Sequence, residues 1–426
     1  MWKKVLLGLL ALVLILLVSA ALYLNYRMQR FKGELLDEQY LQAKYLEFEQ
    51  LAAELESRSP ADQSALDELV KQYRADPNYF FTRVKVFDHD CELIAAQIAE
   101  HRPQLEQLKK YDEQYQQIMA DGFVYYKEAT IFQGDEVLFV SRDLFLLQLM
   151  TALSEGMGGQ NAEAAQRLLL NSKFVEGLYD TKSTIAMMLG VYFEHRLNQA
   201  IVYLLPILPS DYLPQIKQVL VNIPDARLAY LETLKIEVVE QLRLAEFTQQ
   251  HSVIQGLRRG SSMQELMHPD MKLPDFVNEL PAGRRLLGRI IDSIWLRLLA
   301  QREKFVITKL TIDIIQSCQQ WIADGGRGDP TLCADNYLKS TTDILEPFLA
   351  PMSYIGIMNI DSLIQRPHDV QLMREAVIQA IDAELQRRET GGDQAITIQV
   401  DDNQQIVLGA EYGCIESINE PELQGD

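Results

Sequence analysis

The amino-acid sequence predicts a mainly α-helical, multi-helix body with a small C-terminal β-element, tethered by one N-terminal transmembrane helix. Three features carry that expectation. Twenty consecutive residues, Val5 to Leu24, hold no charge and are nearly all Leu, Val, Ile or Ala. From residue 33 to residue 388 apolar residues recur mostly at helical spacing. From Ala395 the period drops to two, as on a half-buried strand.

Twenty residues in a helix reach about 30 Å, the thickness of a hydrocarbon core. Within lipid the backbone must bond to itself, which selects the helix. Trp2 at one end, and Tyr23 and Tyr26 at the other, stand where interfacial aromatics anchor a span. A cleaved signal ending at Val18-Ser19-Ala20 is the competing reading. The apolar run continues past that site to Leu24, which favours an uncleaved anchor, and no Cys follows it to accept a lipid. Lys3 and Lys4 on one side, and Arg27, Arg30 and Lys32 on the other, leave the positive-inside count nearly balanced. Two lysines ahead of a leucine-rich run have the form of a bacterial export signal. The expected location is therefore the bacterial inner membrane, with the body in the periplasm.

A net charge of −20 with +5 in the first 32 residues leaves about −25 on the rest. Such a body repels phosphate backbones and anionic lipid heads. The expected contacts are the membrane through residues 5–24 and protein partners of unknown identity, not nucleic acid. With 48% hydrophobic residues, a large packed core is feasible. Four cysteines, an even number, agree with export. Cys318 and Cys333 flank the turn-like run Asp324 to Pro330, so two antiparallel helices would bring them level, and a 318–333 disulfide is expected. No Asn-x-Ser/Thr sequon occurs.

Residues 1–32 form the anchor with its basic flanks. Residues 33–140 read as a helical stalk followed by an α(+β) segment. Within 33–58, Leu41, Tyr45, Phe48, Ala52 and Leu55 recur at four-three spacing, as a self-association stalk or as a helix packing on its own domain. A short helix to Tyr73 follows, then a strand over Phe81 to Phe87. The amphipathic helix from Ile94 to Ile118 is interrupted or kinked at Pro103. A hairpin is expected over Phe123 to Val140, around Gln133-Gly134-Asp135.

Residues 141–350 read as a helical core domain. Leu178 to Leu205 is apolar almost all round, as a buried central helix would be, and Pro206 and Pro209 end it. Glu194, His195 and Arg196 interrupt it, which argues against a second span. Ser210-Asp211 is a capping candidate for the next helix. Pro224-Asp225 opens another, with the stripe Leu228, Leu231, Leu234, Val238 and Leu242. A loop over 260–280, a long helix over 284–323 and another over 331–349 complete this domain. Residues 351–426 hold a helix over 370–388, stopped by Gly391-Gly392, and a small β-hairpin element. Its strands are Ala395 to Val400 and Gln405 to Leu408, with a third over 411–418.

No residue set is assigned a catalytic, cofactor-binding or metal-ligating role. Glu265 and His268 have the spacing that places two ligands on one helical face, but a di-metal bundle needs two such pairs. Gly156 to Gln160 lacks the preceding strand and the Lys-Ser/Thr ending of a phosphate cradle. Arg327-Gly328-Asp329 reads as part of a turn. The one polar cluster singled out is Glu194 and His195 in the central helix, with Glu237 and Glu240 on a neighbouring one. A buried carboxylate there would serve acid–base chemistry or a structural pair. The leading functional expectation is non-enzymatic, a membrane-anchored envelope protein acting as a protein-docking scaffold, assembly factor or regulator. The alternatives are an exported hydrolase with scattered carboxylates and histidines, and a module gripping an apolar ligand near Met187, Met188, Tyr192 and Phe193.

Overall fold

The computed structural model describes residues 38–57, 64–77, 91–120, 136–181, 184–236, 297–326, 360–392, 395–409 and 411–417, together with Ser19, Tyr23, Val239 and Cys333. The described chain is mainly helical with a small C-terminal three-stranded sheet. The predicted span over 5–24 lies outside the described residues, except for Ser19 and Tyr23, which are helical. No helix among the described residues is long and apolar enough to cross a membrane. Also outside them lie the strand over 81–87, the loop over 260–280 and, apart from Cys333, the helix over 331–349.

The first described helix, α1, is Glu38–Ser57. Tyr45, Phe48 and Ala52 of its stripe are buried in the protein's own core, and the helix packs against α9, Arg297–Ala323. Next come α2, Ser64–Ala75, and α3, Cys91–Leu108. Pro103 does not end α3. It sits on the exposed face, where water can take the carbonyl that its missing N–H leaves free. The irregularity comes later, at a 3-10 turn over Lys109–Tyr111, before α4, Asp112–Ala120. That turn lets the Tyr111 hydroxyl donate to Asp76 at 2.8 Å, tying the end of α2 to the turn.

The expected hairpin over 123–140 does not form where the structure describes it, because residues 136–140 are the first turns of α5, Glu136–Met157. Short apolar runs suit a buried strand and a buried helix equally, and here the run continues into a helix packed on both sides. The apolar stretch from 178 to 205 is likewise not one helix. It is the end of α6, Asn161–Asp180, followed by α7, Thr184–Leu204. α7 is the central element and packs against α5, α6, the C-terminal helix α10 (Ile360–Thr390) and the sheet. Contact on several sides explains why its sequence is apolar nearly all round. At its centre Phe145, Phe174 and Phe193 form a ring cluster, with the Phe145 and Phe193 centroids 4.3 Å apart. Buried side chains from Tyr45 to Leu408 belong to this one core.

Helix α8, Leu213–Asn222, begins after Tyr212, and no side chain caps it, contrary to the Ser210-Asp211 expectation. Pro214 in its first turn tolerates the missing cap because it has no N–H to satisfy there. Asp225 does cap the helical segment 226–236, accepting from the Arg227 and Leu228 N–H groups. That segment buries Leu231 and Leu234, but Leu228 is exposed, so the expected stripe is rotated, and Tyr230 and Thr233 share the buried face.

Helix α10 starts at Ile360, earlier than expected, and Gly391 ends it at φ +67°, a conformation costly for residues with a Cβ. The strands are β1, Ile396–Gln399, β2, Gln404–Leu408, and β3, Gly413–Ser417, antiparallel in the order β1-β2-β3. Ile398 pairs with Ile406, and Ile406 with Ile415, which fixes the register. Ile406 and Leu408 alternate inward. A Cβ on Gly413 would strike the Val202 carbonyl oxygen, so a glycine is required where β3 crosses α7.

Candidate functional site

Glu194, singled out from sequence, sits fully buried in α7 and accepts three hydrogen bonds. Arg374 of α10 donates from Nε to Oε1 and from Nη2 to Oε2, the latter at 3.0 Å. The Tyr179 hydroxyl of α6 donates to Oε2. The remaining Arg374 donors reach past the carboxylate to the Ile223 and Pro224 carbonyls, at 2.6 and 3.0 Å, where the chain leaves α8. A cation at a helix C-terminus is favoured by the backbone dipoles there. Burial lowers the Arg374 guanidinium, and the Glu194 carboxylate outweighs it, holding the group above its ordinary value. Burial, then the same carboxylate, pushes the Tyr179 hydroxyl well up. A carboxylate engaged this way is suited to locking α6, α7, α8 and α10 together rather than to moving protons.

A second junction was missed from sequence. Arg167 of α6 donates to Glu155 at 3.0 and 2.8 Å, to Asp112 at 2.7 Å and to Gln148. Gln148 in turn donates to Asp112 at 3.0 Å, and Lys109 lies 3.6 Å from Glu155. This network binds the 3-10 turn and α4 to α5 and α6. Beside it the Tyr115 hydroxyl donates to Asn171 at 2.8 Å. A third junction uses Glu384, fully buried in α10, which accepts from Arg387 and Arg388 at 2.7–2.9 Å. Arg388 also donates to the Leu205, Pro206 and Leu208 carbonyls beyond the end of α7. The signal for these residues was present. Arg167 stands on the stripe Ala164, Leu168 and Asn171, and Arg374 and Glu384 stand on the stripe Val370, Val377 and Ile381. A charge on a core-facing stripe announces a partner elsewhere.

The other sequence candidates do not converge on Glu194. His195 is half-buried next to it, and Glu237 and Glu240 lie outside the described residues, as do Glu265, His268 and Arg327 to Asp329. Met187 and Phe193 are core residues, Met188 is exposed, and Tyr192 lies partly exposed beneath the Arg196 guanidinium, 5.2 Å from the ring centroid. Gly156 and Met157 are the last residues of α5, and Gly158 to Gln160 form the turn between α5 and α6. Among the described residues, no group of three or more His, Cys, Asp or Glu is placed to hold a metal ion. Cys318 and Cys333 are joined by a disulfide with Cα atoms 5.0 Å apart, and Cys414 is disulfide-bonded too.

A small apolar niche lies where the segment 226–236, α9 and α10 meet. Arg227, Tyr230, Leu231, Trp321, Ile364 and Pro367 are among the residues lining it. It has room for little more than a water molecule. The ring of His368, buried in α10, packs edge-on against Trp321 with centroids 4.9 Å apart. Its Nδ1 is buried with no hydrogen-bond partner. Comparison with protein-family models, curated proteins and solved structures finds no match to this chain.

Proposed function

We propose that this chain is a single-pass envelope protein whose acidic helical body docks other proteins, as a scaffold, assembly factor or regulator. The observation that carries this reading is the use made of the buried charges. Buried Glu194 and Glu155 and partly buried Asp112 are engaged in ion pairs that join helix to helix. Buried Glu384 pairs within α10 with Arg388, which reaches across to the carbonyls beyond α7. Such an interior favours a rigid body that works through its surface. The apolar run Val5 to Leu24 supports a membrane tether. The 318–333 disulfide supports an oxidising compartment, and with it a periplasmic body.

The test is crosslinking in intact cells, with mass spectrometry of what the full-length chain traps. A protein partner recovered reproducibly, and lost when residues 5–24 are replaced by a soluble leader, is the expected result. Turnover on a substrate panel with no partner trapped would overturn the reading. Topology is tested separately, with a reporter enzyme active only in the periplasm fused after residue 60. An inactive fusion reverses the orientation.

A further inference from the structure

The junction of α9 and α10 differs from the three ionic junctions in holding a titratable group without an ionic partner. His368 is 5% exposed, its Nδ1 has no acceptor or donor, and its ring is pressed against Trp321. The residue before it is Pro367, inside α10 and lining the niche. A proline there removes one hydrogen bond from the helix ladder and makes a bend at that point cheap.

We propose that His368 is an acid-operated latch: neutral, it packs α10 against α9 beside the Trp321 ring, and protonated it releases that contact at the Pro367 hinge and opens the apolar niche. A second N–H on the buried ring would have no acceptor, and its charge would sit in the field of Arg227. The charged groups around the ring come from each neighbouring element. The segment 226–236 and its cap bring Arg227 and Asp225, the β1–β2 turn brings Asp401, α10 brings Glu375, and α9 brings the uncharged Trp321. Arg227 is itself held by both oxygens of Asp225, at 3.1 and 2.6 Å, which leaves less of that carboxylate's charge for the imidazole.

Burial first, and then Arg227, hold His368 below its ordinary 6.5, against the pull of Glu375, Asp225 and Asp401. The opened state titrates at the ordinary value and the packed state lower, so the opened state binds more protons in between. The latch is therefore fully closed above about pH 6.5 and weakens as the pH falls below it. Asp369, next along α10, acts in the opposite sense. Burial and Asp401 raise its carboxyl to about 6, against a hydrogen bond from Gln365, so its protonation favours the packed state. The device needs no partner and does not depend on the docking role.

The full-length chain in detergent, with Trp2→Phe and Trp295→Phe leaving Trp321 as its single tryptophan, is titrated from about pH 7.5 to about pH 4.5 by fluorescence. A reversible change in Trp321 emission, with its midpoint below the ordinary histidine value, is expected. It should disappear in His368→Gln and move to higher pH in Arg227→Met, which removes the repelling cation. A transition that persists in His368→Gln, follows Asp369→Asn instead, or is absent from the parent overturns the proposal. Should His368→Gln fail to fold at neutral pH, an unmoved midpoint in Arg227→Met overturns it alone.

Discussion

Arg374 and Arg167 are both buried guanidinium groups, and they are neutralised differently. Arg374 meets one carboxylate, and the Ile223 and Pro224 carbonyls after α8 supply the rest of its acceptors. Arg167 meets two carboxylates and an amide, and no helix end. The difference shows two ways to house a cation in a core. Carbonyls left over at a helix terminus already carry partial negative charge, so one carboxylate completes the set. Where no terminus is near, side chains from several elements must converge. The first arrangement depends on a single anion, and the second spreads the task.

That comparison is most sharply tested by removing the single anion. Glu194→Ala leaves the Arg374 charge buried without its counter-ion and is expected to cost about 3–5 kcal/mol in chemical denaturation. A loss under about 1 kcal/mol would mean that the carbonyls alone suffice. Arg388→Ala, which leaves Glu384 its pair with Arg387 but strips the carbonyls after α7, should cost about 2 kcal/mol. Asp112→Ala should cost only about 1 kcal/mol, because Glu155 still holds Arg167. If it costs as much as Glu194→Ala, the charge is not shared as described.

The smallest expected effect has the opposite sign. Asn198 in α7 is fully buried, one turn on from Glu194, and neither its Oδ1 nor its Nδ2 has a hydrogen-bond partner. A buried amide in that state loses its hydration and regains nothing. Asn198→Leu, nearly the same size, is expected to raise stability by up to about 1 kcal/mol. A clear loss instead would point to a water bound to the amide in solution, which a denaturation series on Asn198→Asp would then weaken further.

Local signals are legible where one element explains itself. The strand–turn–strand pattern from Ala395 to Leu408 appears as β1 and β2, because alternation and the Asp401-Asp402-Asn403 turn are written in adjacent residues. Asp401 accepts from the Asn403 and Gln404 N–H groups within that turn. The apolar continuum from 178 to 205 conceals two helices, since a helix buried on several sides carries no periodicity to show where it breaks. Tyr179 ends up on one helix and Glu194 on the next, and their hydrogen bond requires the chain to reverse between them. Glu194 itself was legible as a buried carboxylate, but Arg374, 180 residues later, was not legible as its partner.

Composition and spacing by themselves determined the helical class of the body, the small terminal sheet, and the glycine stop at the end of α10. Each of these follows from backbone propensity and from the period of apolar residues within a few turns. Only the tertiary structure decided which charges enter the core and what neutralises them. Burial is imposed by neighbours distant in the chain, and an ion pair forms only once packing has already brought its two halves together.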